Sequence, residues 1–186
     1  MTPAEQTLLA EAKPLARVPV ATVPDPGNLR SCFGMFTTGI TVVTAGRTVP
    51  QGMTANSFAS VSLDPALVLV CVRRESPMHE VVLSEEAFAV SVLSAHQEQV
   101  ARYFANKKRP RGEGEFDLID TIPGTHTGAP IISGSLAWLE CSLAAVYDGG
   151  DHSIFLGSVL DLGRSGTSDA LLFFRGDFHR LEPGLP

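Results

Sequence analysis

The chain lacks the features that would place it in a membrane, in an oxidising compartment or on a polyanion. Its three cysteines, Cys32, Cys71 and Cys141, are an odd number spread over 186 residues without short spacings. They form neither a disulfide framework nor a zinc cluster, and they fit a reducing cytoplasm. Positive charge is scarce, with 14 basic against 20 acidic residues and a formal net of -6. That balance leaves no electrostatic footprint for nucleic acid or for an anionic membrane. Long apolar runs are also missing. Residues 1–27 hold five prolines, with Glu5 and Glu11 early and no continuous hydrophobic stretch. This segment is expected to be a flexible arm, neither a signal peptide nor a membrane span.

Several catalytic signatures are absent too. No Gly-x-Gly-x-x-Gly follows a strand, no Gly-Lys-Ser/Thr phosphate loop occurs, and there is no Gly-x-Ser-x-Gly elbow, which argues against Rossmann, P-loop and α/β-hydrolase folds. The five histidines, His79, His96, His126, His152 and His179, are never paired at helical ligand spacing, so no metal site is expected.

What is present is one core's worth of apolar residues, 44% of the chain, and one domain is expected over residues 28–186. Asn28 is placed to cap a helix with apolar positions Leu29, Cys32, Phe33 and Phe36, stopped by Gly39. Ile40–Ala45, Leu67–Val72 and Phe88–Leu93 are rich in β-branched residues and read as strands. Ser76-Pro77 opens a short helix to Glu86 and Ser94 opens another through Phe104, followed by a basic loop from Lys107 to Gly114. Leu136–Tyr147 and Ser153–Leu162 flank Asp148-Gly149-Gly150-Asp151, a hairpin. Leu171–Phe174 and Phe178–Leu181 are expected to finish the same sheet. Many short strands against three helices predict a mainly β fold, a barrel with peripheral helices.

Five segments could carry chemistry. Gly52–Ser62 (GMTANSFASVS) is dense in hydroxyls and small residues, reading either as an ordinary strand and turn or as a row of fixed donors for a carbonyl-rich ring. Arg73-Arg74-Glu75-Ser76 joins a strand end to a helix start, either a solvated cap or an anion site. Gly150-Asp151-His152 puts a titratable ring on a hairpin tip, and Arg175 lies in the turn between the last two strands. Lys107, Lys108, Arg109 and Arg111 read as a solvated cluster or as a clamp for a phosphate or adenylate.

In this order the segments resemble the short-chain flavin reductases that serve two-component flavin-dependent monooxygenases, such as the 4-hydroxyphenylacetate and phenol hydroxylase systems. The likeness runs from Leu29 to Leu181 and rests on Phe36–Thr44, Gly52–Phe58, Val61–Pro65, Gly150-Asp151-His152 with Ile154–Gly157, and Phe174-Arg175-Gly176. It implies a split β-barrel of the FMN-binding, Greek-key type, a homodimer, and an NAD(P)H:flavin oxidoreductase handing reduced FAD or FMN to a partner monooxygenase, with NADH favoured over NADPH. It also implies that Thr54, Asn56, Ser57, Ser60 and Ser62 surround the flavin ring and ribityl chain, with Met53 and Ala55 in the same stretch. Ser76 with Arg73 or Arg74 would meet phosphate, and Cys71, Phe104, Lys107, Asp151 and Arg175 complete the cofactor set. His152 would sit beside the nicotinamide, as a positioning group. A flavin-binding protein without nicotinamide turnover, or a reductase of ferric chelates, are the alternatives. Where relatives often carry Asp-Arg-Phe this chain has Gly114-Glu115-Phe116, so a basic contact is lost or supplied by Lys107 or Lys108.

Overall fold

The computed structural model describes residues 25–165 and 169–181; the arm expected over residues 1–27 lies almost wholly outside them. Among the described residues are twelve strands, three α-helices and two short 3-10 turns. The mainly antiparallel β architecture matches the expectation from the sequence.

The main sheet has seven antiparallel strands in the order β3-β2-β6-β9-β10-β5-β4. These are β2 (Thr41–Ala45), β3 (Gln51–Ala55), β4 (Ala59–Leu63), β5 (Ala66–Arg73), β6 (Ala87–Val92), β9 (Ala137–Gly149) and β10 (His152–Arg164). Helix α2 (Pro77–Glu85) and helix α3 (Glu98–Ala105) contribute to two different cores. β2 is buried along its whole length because alternation sends Val43 to the core holding Met78 and Val82 of α2, and Val42 to the core holding Ala101 and Phe104 of α3. Phe88, Phe104 and Phe155 are the largest fully buried side chains, each worth about 1.5–3 kcal/mol of transfer free energy.

Four elements differ from the sequence reading. Helix α1 runs Pro26–Phe33, and its cap is Asp25, whose carboxylate accepts the Asn28 N–H at 3.0 Å. Proline in the first turn favours this earlier start, and beyond Gly34 the chain straightens into β1 (Thr38–Gly39). Among the described residues, most of the expected apolar face of α1 stays open: Phe33 and Phe36 are 70% and 77% exposed. β11 (Leu171–Phe174), paired with β1 on one side and with β12 (Asp177–Arg180) on the other, forms a separate three-stranded sheet instead of completing the large one. Gly52–Ser62 proves to be two strands and a turn. The small hairpin of β7 (Thr121–Pro123) and β8 (Pro130–Ile132) carries no strand signal, because its prolines argue against strand.

That hairpin's loop is held by a carboxylate from the sheet. Glu140, fully buried in β9, accepts the N–H groups of Thr125, His126 and Thr127 at 2.9, 3.0 and 2.7 Å and the Thr127 hydroxyl at 2.7 Å. Burial alone would raise its pKa, but these donors outweigh it and hold the carboxyl below its ordinary value.

Candidate functional site

A cavity of about 420 Å³ opens between the edge strand β3, the end of β5, the start of α2, the end of α3 and the first residue of β10. Because β3 borders the sheet, every second backbone group along it faces away from β2. Gly52 is one of these: its N–H goes to Glu115 Oε1 at 3.0 Å and its carbonyl accepts from Arg109 Nη2. The same parity turns the Thr54 backbone outward. The hydroxyls in this stretch are mostly spent on scaffolding. Thr54 Oγ1 donates to the Ala101 carbonyl of α3 at 2.6 Å, and Ser57 Oγ both donates to and accepts from the Cys71 backbone at 3.1 Å. They lock β3 to α3 and to β5, and the backbone they immobilise is left to meet a ligand.

The cavity wall is strongly basic for an acidic chain. Arg73, Lys107, Arg109 and Arg111 line it against the single carboxylate of Glu75. Ser76 stands at the N-cap of α2 without using its hydroxyl on the helix's own amides, so the hydroxyl, the helix start and Arg73 share one wall. Cys71 lines the cavity too, but burial pushes its thiol pKa up, which keeps it protonated and unreactive at neutral pH.

At the hairpin tip, His152 Nδ1 is 2.7 Å from Asp151 Oδ1, and Asp151 Oδ2 accepts from Arg73 Nη2 at 3.1 Å. The histidine bond first, and the arginine second, hold the Asp151 carboxyl below its ordinary value. An ionised partner fixes Nδ1 as the protonated nitrogen and with it the plane of the ring. Arg74 braces the same hairpin from outside, through the Gly150 carbonyl at 3.1 Å and Asp148 at 3.0 Å. The two arginines therefore do not converge on one anion.

Of the residues singled out from sequence, the structure brings Met53, Thr54, Ala55, Asn56, Ser57, Cys71, Arg73, Ser76, Phe104, Lys107 and His152 around this one cavity. Asp151 stands behind His152. Ser60 and Ser62 lie on the outer edge strand β4, Arg74 follows β5 and reaches to the hairpin, and Arg175 is in the β11–β12 turn over the Phe174 ring; none of them lines the cavity. The sequence reading left Gln51, Gly52, Glu75, Pro77, Met78, Ala105, Arg109 and Arg111 out of the set, although all line it. Most flank chosen residues. Arg109, expected in a solvated cluster or a phosphate clamp, has a side chain only 5% exposed and pairs with the fully buried Glu115 at 2.8 Å.

The NADH-dependent FAD reductase of Streptomyces globisporus is 49% identical over 168 residues, 89% of this chain and 92% of that protein. The reductase subunit HsaB of a flavin-dependent monooxygenase from Mycobacterium tuberculosis is 40% identical over 86% of this chain and 84% of its own length. Among solved structures, the S. globisporus NADH:FAD oxidoreductase SgcE6 in complex with NAD and FAD fragments superposes with a TM-score of 0.81, at 47% identity, over 88% of this chain and 98% of that one. With its residues 33–182 matching the flavin reductase like domain, the chain belongs to the flavin reductase family.

Proposed function

We propose that this protein is an NADH-dependent flavin reductase that reduces FAD or FMN and supplies the reduced flavin to a separate flavin-dependent monooxygenase. The observation that carries the reading is the basic cavity bordered by the β3 backbone, with His152 held at its rim by Asp151 and Arg73. Names of the similar proteins point the same way.

Nicotinamide and flavin supply the chemistry, a hydride passing from the first to the second. The chain supplies orientation. Thr54 of β3 and the turn residues Asn56 and Ser57 beyond it offer backbone groups to the ring edge. Arg73 and Ser76 offer charge and hydrogen bonds to a phosphate, and His152, locked in one tautomer, lies where it would orient the dihydronicotinamide. No side chain need take or give a proton in hydride transfer, so His152 acts as a positioning residue.

The reading includes a homodimer with the split β-barrel arrangement of the family. Phe33, Phe36 and Leu63, at 70%, 77% and 95% exposure, and the half-open Leu160 and Leu162 support a second copy covering these faces. It also places the protein in the cytoplasm, which the free thiols of Cys32, Cys71 and Cys141 suit. No helix among the described residues is long and apolar enough to cross a membrane.

Stopped-flow mixing of the protein with NADH and either flavin tests the reading. NADH loss that depends on FAD or FMN, with matching flavin bleaching, is expected. No oxidation of NADH or NADPH with either flavin would overturn it; flavin retention without turnover would then mark a binding protein, and dependence on a ferric chelate a different acceptor.

A further inference from the structure

Glu115 is the most deeply placed acid near the cavity, and its position explains a loop whose charges otherwise look scattered. Its Oε1 receives Arg109 Nε at 2.9 Å, Arg109 Nη2 at 2.8 Å and the Gly52 N–H at 3.0 Å. Arg109 also donates through Nη1 to the carbonyls of Phe104 and Asn106 at 3.0 Å each, and through Nη2 to the Gly52 carbonyl. The Tyr103 hydroxyl closes the other side on the Glu115 carbonyl at 2.7 Å. The end of α3, the loop after it and the first residues of β3 are thus tied at one buried, charge-compensated knot. An ion pair with neither member in water is costly unless its remaining donors and lone pairs are satisfied; here three carbonyls take up the spare guanidinium hydrogens, while Glu115 Oε2 has no partner among the described residues.

Two consequences follow for the cavity. The Arg109 charge is neutralised inside the wall, so the cluster does not offer four cations to a ligand. Lys107 and Arg111, exposed on the same loop and lining the cavity, are the cations it presents. The second basic group of the cavity, Arg73 with Ser76, belongs to a different wall, formed by the end of β5 and the start of α2. Two separate basic walls suit a ligand with two phosphates and a further polar half better than a mononucleotide.

We propose that the buried Arg109–Glu115 pair is a positioning device that holds Lys107 and Arg111 for the adenylate half of FAD, so that this loop makes the site prefer FAD over FMN. The inference rests on the flavin reductase reading and deepens it. Arg73 and Ser76 meet the phosphate common to both flavins, and the loop adds affinity only where the second phosphate is present. Phosphate recognition by paired cations on a preorganised loop needs no new backbone fold.

The test is equilibrium binding of riboflavin, FMN and FAD, read by fluorescence quenching, with thermal midpoints measured in parallel. In the double variant Lys107→Ala/Arg111→Ala, both changes are on the surface; FAD affinity should fall tenfold or more while FMN and riboflavin stay within twofold and the midpoint is unchanged. Glu115→Gln keeps the volume and an oxygen for Gly52 but removes the charge that anchors Arg109, and should show the same selective loss for FAD. Equal losses for FMN and FAD, or wild-type FAD affinity in the double variant, overturn the proposal even if Glu115→Gln proves too unstable to assay. Equal losses for all three flavins in Glu115→Gln reduce the pair to a structural role and overturn it as well. Failure of the unmodified protein to bind any flavin would instead defeat the flavin reductase reading itself.

Discussion

Replacing Glu140 by Gln tests the account of the carboxylate that anchors the β7–β8 loop. In the native protein Oε1 takes three donors and Oε2 a fourth, the Thr125 N–H at 2.9 Å. A glutamine can keep its oxygen on the first three, but its amide nitrogen then faces the Thr125 N–H, donor against donor, and every remaining bond loses its charge assistance. One buried donor left unpaired plus the weakened set costs about 2–4 kcal/mol, which in a domain of this size lowers the thermal midpoint by roughly 4–16 °C. The pH dependence is the sharper readout. Because the folded-state pKa of Glu140 lies below its ordinary value of 4.5, its contribution is fully present above that value and fades as pH falls through the folded pKa. A protonated Glu140 resembles the glutamine, so the gap between wild type and variant should be constant from pH 7 down to the carboxylate range and then close. Urea midpoints measured from pH 7 down to about pH 2, through the depressed folded-state pKa, supply the comparison. A gap that is absent at pH 7, or that persists unchanged under acid, would show that the carboxylate charge does not hold the loop.

Three further outcomes follow from the site. His152→Ala should raise the KM for NADH or slow reduction several-fold while flavin affinity, read by fluorescence, stays put; unchanged kinetics would remove His152 from the site. Asp151→Asn weakens the tether on His152 and Arg73, and should likewise raise the NADH KM at neutral pH. Since the Asp151 carboxyl is held below its ordinary 3.8, the tether in the wild type is intact above that value and lost only as pH falls through the depressed pKa, so a neutral-range transition in the NADH KM assigned to Asp151 would contradict it. Gly52→Ala drives a Cβ into the Phe104 ring well inside van der Waals contact. This overpacking costs about 1–3 kcal/mol, and flavin binding should weaken together with the thermal midpoint because Phe104 lines the cavity.

The strands were legible where one local rule decided them. The β5 sequence Ala66–Arg73 alternates buried Val68, Val70 and Val72 with half-open Leu69 and Cys71, and the Gly150 turn, at a φ of 79°, closes the hairpin its glycines announce. Helix α1 was misplaced because two capping signals, Asp25 and Asn28, compete within one turn, and only the earlier one agrees with Pro26. The separate sheet of β1, β11 and β12 depends on the pairing Thr38↔Phe173, a contact between residues far apart in sequence that two-residue strands do not advertise. On the site, the Gly52–Ser57 stretch stood out by composition, but its hydroxyls turned out to be braces. Thr54 reaches α3 and Ser57 reaches β5, and a hydroxyl's partner cannot be read from its own segment.

Charge is where sequence and structure part most clearly, and the reason is pairing. Lys107, Lys108, Arg109 and Arg111 look equivalent in a row, and Arg73 and Arg74 look like a matched pair. Folding sorts them by partner: Arg109 sinks onto Glu115, Arg74 braces the hairpin through Asp148 and Gly150, and Arg73 is shared between the cavity and Asp151. The acids that do this sorting, Glu115, Asp148 and Asp151, carried little signal of their own, because a carboxylate acquires meaning only from the cation it reaches. A net charge of -6 therefore coexists with a cavity wall lined by four basic residues and one acidic one. The field that draws a phosphorylated ligand is set by which cations remain uncompensated at that wall, and the acids placed behind it make that choice.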